Sequence, residues 1–229
     1  MAGLLIHVEG QTEETTVNEV LRGHLLQQGF DYVAATLIGN PRKSRGGIVG
    51  WNVAKREILR NLKDSAGRYV TTMVDYYGLP QTGNRAWPGR AAASNLPFAQ
   101  KASTVESAMM EEVVAEMGGD SFYPNRFIPF VVMHEFEGLL FSDCAAFSSG
   151  IERPDLEGSF QAIRDNFNSP EEIDDSPINA PSKRVERLIP AYEKPFLGTL
   201  AVIEIGLERI RTECQHFNQW LETIEGVVA

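Results

Sequence analysis

The sequence predicts an α/β fold, a four-stranded parallel sheet with crossover helices followed by a mainly helical C-terminal region, and three observations predict it. Four short runs rich in β-branched and apolar residues, at 4–8, 32–38, 69–74 and 127–133, alternate with longer polar stretches. Each run stops at a turn former or an acid: Glu9-Gly10, Gly39-Asn40-Pro41, Asp75 and His134-Glu135. Beyond about residue 145 this pattern gives way to apolar residues spaced three and four apart. The expected division is a core over 1–145 and a helical region packed on it over 146–229.

Each element has a local reason. Leu4 to Val8 is a short apolar strand, and Thr12 with Glu13 and Glu14 behind it opens a helix expected over residues 12–28. A strand at 32–38 follows. Val49, Val53, Ile58 and Leu62 fall at helical spacing among polar residues, which predicts a helix over 49–63. After the strand at 69–74, a stretch rich in Gly, Pro and Asn from 78 to about 102 reads as a long loop. A helix over 106–117 and a strand over 127–133 complete the core. The segment 148–181 is acidic and broken by Pro154, Pro170, Pro177 and Pro181, with a short helix expected around 160–167. Leu200, Ile203, Leu207, Ile210, Cys214, Phe217, Leu221 and Ile224 then keep one helical face, as a single helix or as two breaking near Gln215-His216.

Composition removes several classes of function. With 229 residues, 43% hydrophobic and 23% charged, the chain is long and apolar enough for one large folded unit, not a disordered one. Two cysteines, Cys144 and Cys214, are too few for a disulfide scaffold or a cysteine-rich zinc site and fit a reducing cytoplasm. No stretch approaches the roughly 20 apolar residues of a membrane span, and no basic region precedes Leu4-Leu5-Ile6 to make it a signal peptide. There is no Gly-x-Ser-x-Gly elbow, no Gly-x-x-x-x-Gly-Lys-[Ser/Thr] loop and no pair of histidines four apart. Serine-nucleophile, ATP-hydrolysing and zinc-protease chemistries are thereby set aside.

The net charge of −10 argues against electrostatic coating of nucleic acid, but its distribution is uneven. Residues 106–181 hold 16 acids against Arg126, Arg153 and Arg164, a local −13. Residues 32–56 contain no acid but hold Arg42, Lys43, Arg45, Lys55 and Arg56; residues 76–105 contain none either, with Arg85, Arg90 and Lys101. Charge runs of this kind serve commonly as solvated loops. In a parallel sheet, however, ligands bind outside the carboxyl ends of the strands. Glu9, the loop at Arg42–Arg45, Asp75 with its acid-free loop, and His134-Glu135 would share that edge. Carboxylates flanked by basic loops suit a phosphate-bearing substrate held with a metal.

Three constellations could carry the chemistry. Glu9 in Val8-Glu9-Gly10-Gln11-Thr12-Glu13 could bind a divalent cation or act as general acid or base, and Gly10 lets the chain turn. Asp75 ends an apolar strand, where an acid serves as an Mg²⁺ ligand or as a turn cap. In His134-Glu135-Phe136-Glu137, one or two of the carboxylates could reach a common ion, with Asp143 an outlying candidate.

Together these residues resemble the Toprim fold, a Rossmann-like arrangement shared by topoisomerases, bacterial primases and the overcoming-lysogenization-defect (OLD) nucleases. That fold carries a Glu-Gly turn after its first strand and an Asp-x-Asp after its third, which hold Mg²⁺. Val8-Glu9-Gly10 matches the first motif and Asp75 the first Asp of the second, but Tyr77 stands where the second Asp would be, leaving Glu135 or Glu137 as its substitute. The whole chain is similar to a Toprim-like bacterial family named as a domain of unknown function, DUF4276. That similarity runs through Asp75-Tyr76-Tyr77-Gly78-Leu79-Pro80, His134-Glu135-Phe136-Glu137-Gly138-Leu139-Leu140-Phe141, Ala180-Pro181-Ser182-Lys183-Arg184, Ile205-Gly206-Leu207 and His216-Phe217-Asn218-Gln219-Trp220-Leu221.

The resemblance implies a Mg²⁺- or Mn²⁺-dependent nuclease, with Glu9, Asp75 and Glu135 catalytic and Glu9, Asp75, Glu135 and Glu137 as metal ligands. Arg42, Lys43, Arg45, Arg85 and Arg90 are the expected phosphate contacts, and Tyr77 favours one tightly held ion over two. Family members often lie beside genes for ATPases in loci that look like mobile-element or phage-defence islands, which implies an ATPase partner. The alternative expectation is a catalytically degenerate subunit of such an ATPase complex, docking through the acidic middle or the C-terminal helix, which would also serve a homodimer.

Overall fold

The computed structural model describes residues 1–39, 48–118, 126–173 and 178–228. Four strands lie parallel in the order β2-β1-β3-β4, where β1 is Gly3–Val8, β2 Tyr32–Leu37, β3 Arg68–Asp75 and β4 Phe127–Ile128. The expected fourth strand is interrupted: a second short strand, β5 (Val131–Val132), pairs further along β3. The cause is Pro129, which has no N–H to give to a ladder. The register does not slip, since Val70 faces Phe127 and Val74 faces Val131. Across the gap Thr72 replaces the missing ladder. Its hydroxyl donates to the Phe130 carbonyl at 2.8 Å and accepts from the Phe130 N–H at 2.9 Å. Thr72→Val therefore strands two buried backbone groups, and urea unfolding is expected to show a loss of roughly 2–3 kcal/mol.

Helices cover both faces. The first helical stretch runs as expected, but a π-helical turn, Val17–Leu21, divides it into α1 (Gln11–Thr16) and α2 (Arg22–Gln28). α3 spans Trp51–Asp64. The acid-free loop is more ordered than expected: it holds a short helix, α4 (Arg90–Ala93), and ends at Pro97, where α5 (Phe98–Glu116) begins eight residues before the expected start. The helix formers Ala99, Gln100, Lys101 and Ala102 account for that earlier start. α6 (Glu137–Leu140), α7 (Cys144–Gly150), α8 (Glu157–Arg164) and α9 (Pro181–Leu188) lead to the C-terminal stretch. There three helices replace one or two: α10 (Thr199–Ile205), α11 (Leu207–Glu213) and α12 (Gln215–Glu225). The extra break is Gly206, whose φ of 75° only glycine adopts without strain.

The alternation along the strands sorts the core into two layers. Leu4, Ile6, Val8 and Met73 face a cluster built with α1, α2 and the C-terminal helices, reaching Phe217, Leu221 and Ile224. Val70, Val74 and Tyr76 face a second cluster with α3 and α5, including Trp51, Ile58, Met109 and Val113. The end of the chain is stitched to the central strand, because Trp220 Nε1 donates to the Thr71 hydroxyl at 2.8 Å. α12 starts on a buried carboxylate: Glu171 accepts from the backbone N–H groups of His216 and Phe217 at 2.9 and 3.0 Å. His216 Nε2 lies 2.9 Å from Glu106. Burial pulls the His216 pKa down, but the hydrogen bond and charge of Glu106, with Glu171 behind it, hold it above the usual value. A histidine raised in the folded state stabilises fully below its unfolded value and loses that contribution as pH rises through the folded one. Glu106→Gln is thus expected to flatten the fall in melting temperature that wild type shows above about pH 6.5.

Candidate active site

The carboxyl ends of β1 and β3 and the turn after β5 converge on one edge of the sheet. His134, at the turn, has a positive φ of 61°, unusual for a residue with a side chain. That conformation sends the chain back over the edge, where Asp75 fixes it: Asp75 Oδ1 accepts from the Phe136 N–H at 2.9 Å, and the Tyr77 N–H donates to the His134 carbonyl at 2.9 Å. Glu9 lies beside them, its Oε2 3.4 Å from the Asp75 N–H. Glu13, one helical turn beyond Glu9, is 2% exposed. Gly10 makes its position possible, because a Cβ there would lie 2.9 Å from Glu13 Oε2. Glu137, at the start of α6, is fully buried, and its Oε1 has no hydrogen-bond partner among the described residues.

Among the described residues, a single cation serves this cluster. Lys194, at the head of the π-helical segment Lys194–Gly198, places Nζ 3.0 Å from Glu137 Oε2, 3.4 Å from Asp75 Oδ2 and 3.9 Å from Glu13 Oε1. Burial opposes its charge, but Asp75, Glu137 and Glu13 outweigh that and hold the ammonium well above its ordinary pKa. One lysine does not balance so many acids. Burial, with help from Glu13, raises Glu9 to about 7 against the opposing pull of Lys194. Burial also lifts Asp75 well above the usual carboxylate range, and Glu137 upward, with Lys194 opposing both. The Tyr192 hydroxyl, buried near Glu137, has no hydrogen-bond partner among the described residues, and burial raises its pKa as well.

The residues expected from sequence fare differently. Glu9, Asp75 and Glu137 sit together around Lys194. Glu135 adds to the negative field on Glu9 and Glu137, but its Oε2 accepts from the Ser182 N–H at 2.9 Å and so holds the start of α9. Tyr77 is 39% exposed. Asp143 caps α7, accepting from the Ala146 N–H at 2.9 Å. Arg85 is exposed and donates to the Ile48 carbonyl at 2.6 Å, bracing the approach to α3. Arg90 is 3% exposed, its Nε donating to the Tyr76 carbonyl at 2.9 Å and its guanidinium 3.8 Å above the Tyr76 ring. Its charge supports the turn after Asp75 from beneath. Arg42, Lys43 and Arg45 lie outside the described residues. No motif in the sequence marks Lys194, and for Glu13, beyond a helix start, the one signal is a carboxylate four residues after Glu9 across a glycine.

A buried group of oxygen donors with unspent negative charge suits a hard divalent cation. Among the described residues, no three His, Cys, Asp or Glu side chains converge closely enough to chelate an ion as they stand, and the Lys194 ammonium holds the centre. Among these residues no helix is long and apolar enough to cross a membrane.

No curated protein matches the chain. Among solved structures it is similar to the C-terminal region of the Burkholderia pseudomallei OLD protein, with 12% identity and a TM-score of 0.52, over 99% of this chain and 98% of that one. At that identity the likeness is one of fold: a mixed α/β, Rossmann-like arrangement around a parallel sheet, consistent with a Toprim-like relationship. A family model described as "Domain of unknown function (DUF4276)" matches residues 8–225, and with nearly its whole length so matched, the chain belongs to the DUF4276 family.

Proposed function

We propose that the chain is a metal-dependent phosphodiesterase that hydrolyses DNA or RNA. The observation that carries this reading is the gathering of Glu9, Glu13, Asp75 and Glu137 around Lys194 at the carboxyl edge of a parallel sheet. The donor chemistry, all oxygen, suits Mg²⁺ or Mn²⁺ once the carboxylates draw together in place of Lys194, and Glu137 Oε1 is buried without a hydrogen-bond partner among the described residues. Glu9, Asp75, Glu135 and Glu137 are assigned as ligands, with Glu13 beside them. When bound, the ion would neutralise the phosphate and the charge developing on it. Lys194, charged at every working pH, would contact a non-bridging phosphate oxygen. Glu9, at about 7, divides between its two protonation states near neutrality and suits proton transfer to or from the reacting oxygens. Arg85, together with Arg42, Lys43 and Arg45, would hold flanking phosphates; Arg90, buried under Tyr76, is withdrawn from that role.

The fold likeness to an OLD protein supports the nuclease reading, and a partner ATPase and a part in phage defence are carried over with it as proposals. The test is hydrolysis of labelled single- and double-stranded oligonucleotides with Mg²⁺ or Mn²⁺. Activity is expected, and it should vanish in a Glu9→Ala, Asp75→Ala double variant; activity unchanged in that variant would sink the assignment. Calorimetry separates the rival reading, because no binding of either ion at millimolar levels favours a degenerate partner subunit.

A further inference from the structure

The outward side of α3 carries a row of cations, most of which have no carboxylate partner among the described residues. Lys55, Arg56, Arg60 and Lys63 recur at helical spacing, and with Asn52, Leu59 and Glu116 of α5 they line a groove of about 370 Å³. Lys55 is spent on Glu112 and Glu116, at 2.9 and 3.4 Å. Arg56, Arg60 and Lys63 are exposed, and no carboxylate among the described residues pairs with them. In a chain of net charge −10, acids are plentiful, so three adjacent cations without a partner are unexpected. Folding accounts for Lys63, a cation in the last turn of α3, but not for Arg56 and Arg60, like charges four apart that are mildly destabilising on a helix.

The row also has a direction. Its upper end meets the carboxylate edge: the Ile38 N–H donates to the carbonyl of Val8, the residue before Glu9, at 2.9 Å, and the Gly39 N–H donates to Glu57 of α3 at 3.1 Å. From there the cations run down the flank of the sheet. Lys55 to Lys63 rises about 12 Å along the helix at 1.5 Å per residue. That covers three to four phosphate-to-phosphate steps of one duplex strand at roughly 3.4 Å of axis each, so the row can follow a short run of backbone. Guanidinium groups bind phosphate oxygens in a bidentate fork, which suits Arg56 and Arg60 to this ligand.

We propose that this face of α3 binds the sugar–phosphate backbone of nucleic acid, outside the carboxylate cluster, with Arg56, Arg60 and Lys63 as its phosphate contacts. The identity of the polyanion rests on the nuclease reading above, but binding is measurable without cleavage. The experiment is fluorescence anisotropy with a labelled oligonucleotide, single-stranded and duplex, in chelator and over a range of salt. It compares wild type with Arg56→Gln/Arg60→Gln/Lys63→Gln and with Arg153→Gln, which removes an exposed cation paired to Asp155. The triple variant is expected to bind at least tenfold more weakly, with a slope of log K against log salt shallower by about three, while Arg153→Gln matches wild type. Should the triple variant melt early, Arg56→Gln alone is expected to lower the slope by about one.

No measurable binding by wild type, an unchanged slope, or an equal loss in Arg153→Gln overturns the proposal. So does a triple variant that binds normally but changes its sedimentation, since the row would then be meeting the acidic segment of a second copy. The two readings fail separately. Binding that depends on the row without any cleavage removes the nuclease and keeps the row. Cleavage with KM unmoved by the triple variant removes the row and keeps the nuclease.

Discussion

Replacing Lys194 with methionine is expected to lower the melting temperature by about 5–10 °C at pH 8, with the loss disappearing as pH falls toward 5. The substitution keeps the length of the side chain but removes the one cation among the described residues within 4 Å of Asp75, Glu137 and Glu13. Breaking a buried ion pair from one side costs about 3–5 kcal/mol; with 37% of the Lys194 side chain open to solvent, about 2–3 kcal/mol is the better expectation. The sign with pH follows from the carboxylates. Asp75 and Glu137 are already raised in the fold, and without Lys194 they rise further. A carboxylate raised in the folded state destabilises above its unfolded pKa, and that penalty fades as pH falls toward it. Added Mn²⁺ should restore part of the loss by supplying another positive charge. A scanning-fluorimetry series over pH, with and without Mn²⁺, checks all three points, and a pH-independent loss would mean that Lys194 acts through packing alone.

The second large effect is a divergence between activity and stability. Glu9→Gln and Asp75→Asn, each nearly isosteric, are expected to reduce nuclease turnover by a thousandfold or more, consistent with loss of a metal-ligand or proton-transfer group. At pH 8 Glu9→Gln should nonetheless stabilise the protein by about 2 kcal/mol, because a carboxyl held at about 7 gives up stability as pH rises from its unfolded value near 4.5. Wild type should therefore lose stability between about pH 4.5 and 7 while the variant's curve is flatter. Paired turnover and melting measurements decide the matter. A Glu9→Gln protein that is less stable than wild type at pH 8 would show that the carboxylate is compensated by groups other than Lys194.

Most of this site is written in strand ends. Glu9 and Asp75 could be placed on one edge because each follows an apolar run, and parallel pairing brings such ends together. The same logic reached Glu135 and Glu137 but could not say which faces inward. That depends on the positive φ at His134 and on Ser182 claiming Glu135, neither of which has a periodic signature. Lys194 was invisible for a plainer reason. It stands in Lys-Pro-Phe-Leu-Gly, with no motif around it, and reaches the cluster only through the packing of α10 on the first helices. Arg90 shows the opposite error, since an arginine in an acid-free loop looks like a phosphate contact until its burial under Tyr76 is seen. The break of the fourth strand at Pro129 was legible but outweighed by five strong strand formers around it.

The placement of Lys194 also bears on how the molecule comes into being. It follows Asp75 by 119 residues. At about 5–20 residues per second, a ribosome makes the acids of the first strands and the helix between them some 6–24 s before it makes their counter-charge. Through that interval Glu9, Glu13 and Asp75 lack the ammonium that sits among them in the finished fold, so closing the sheet edge early is electrostatically opposed. The nascent chain has reason to keep that edge open and hydrated until Lys194 arrives, and synthesis of that residue becomes a condition for assembling the carboxylate cluster.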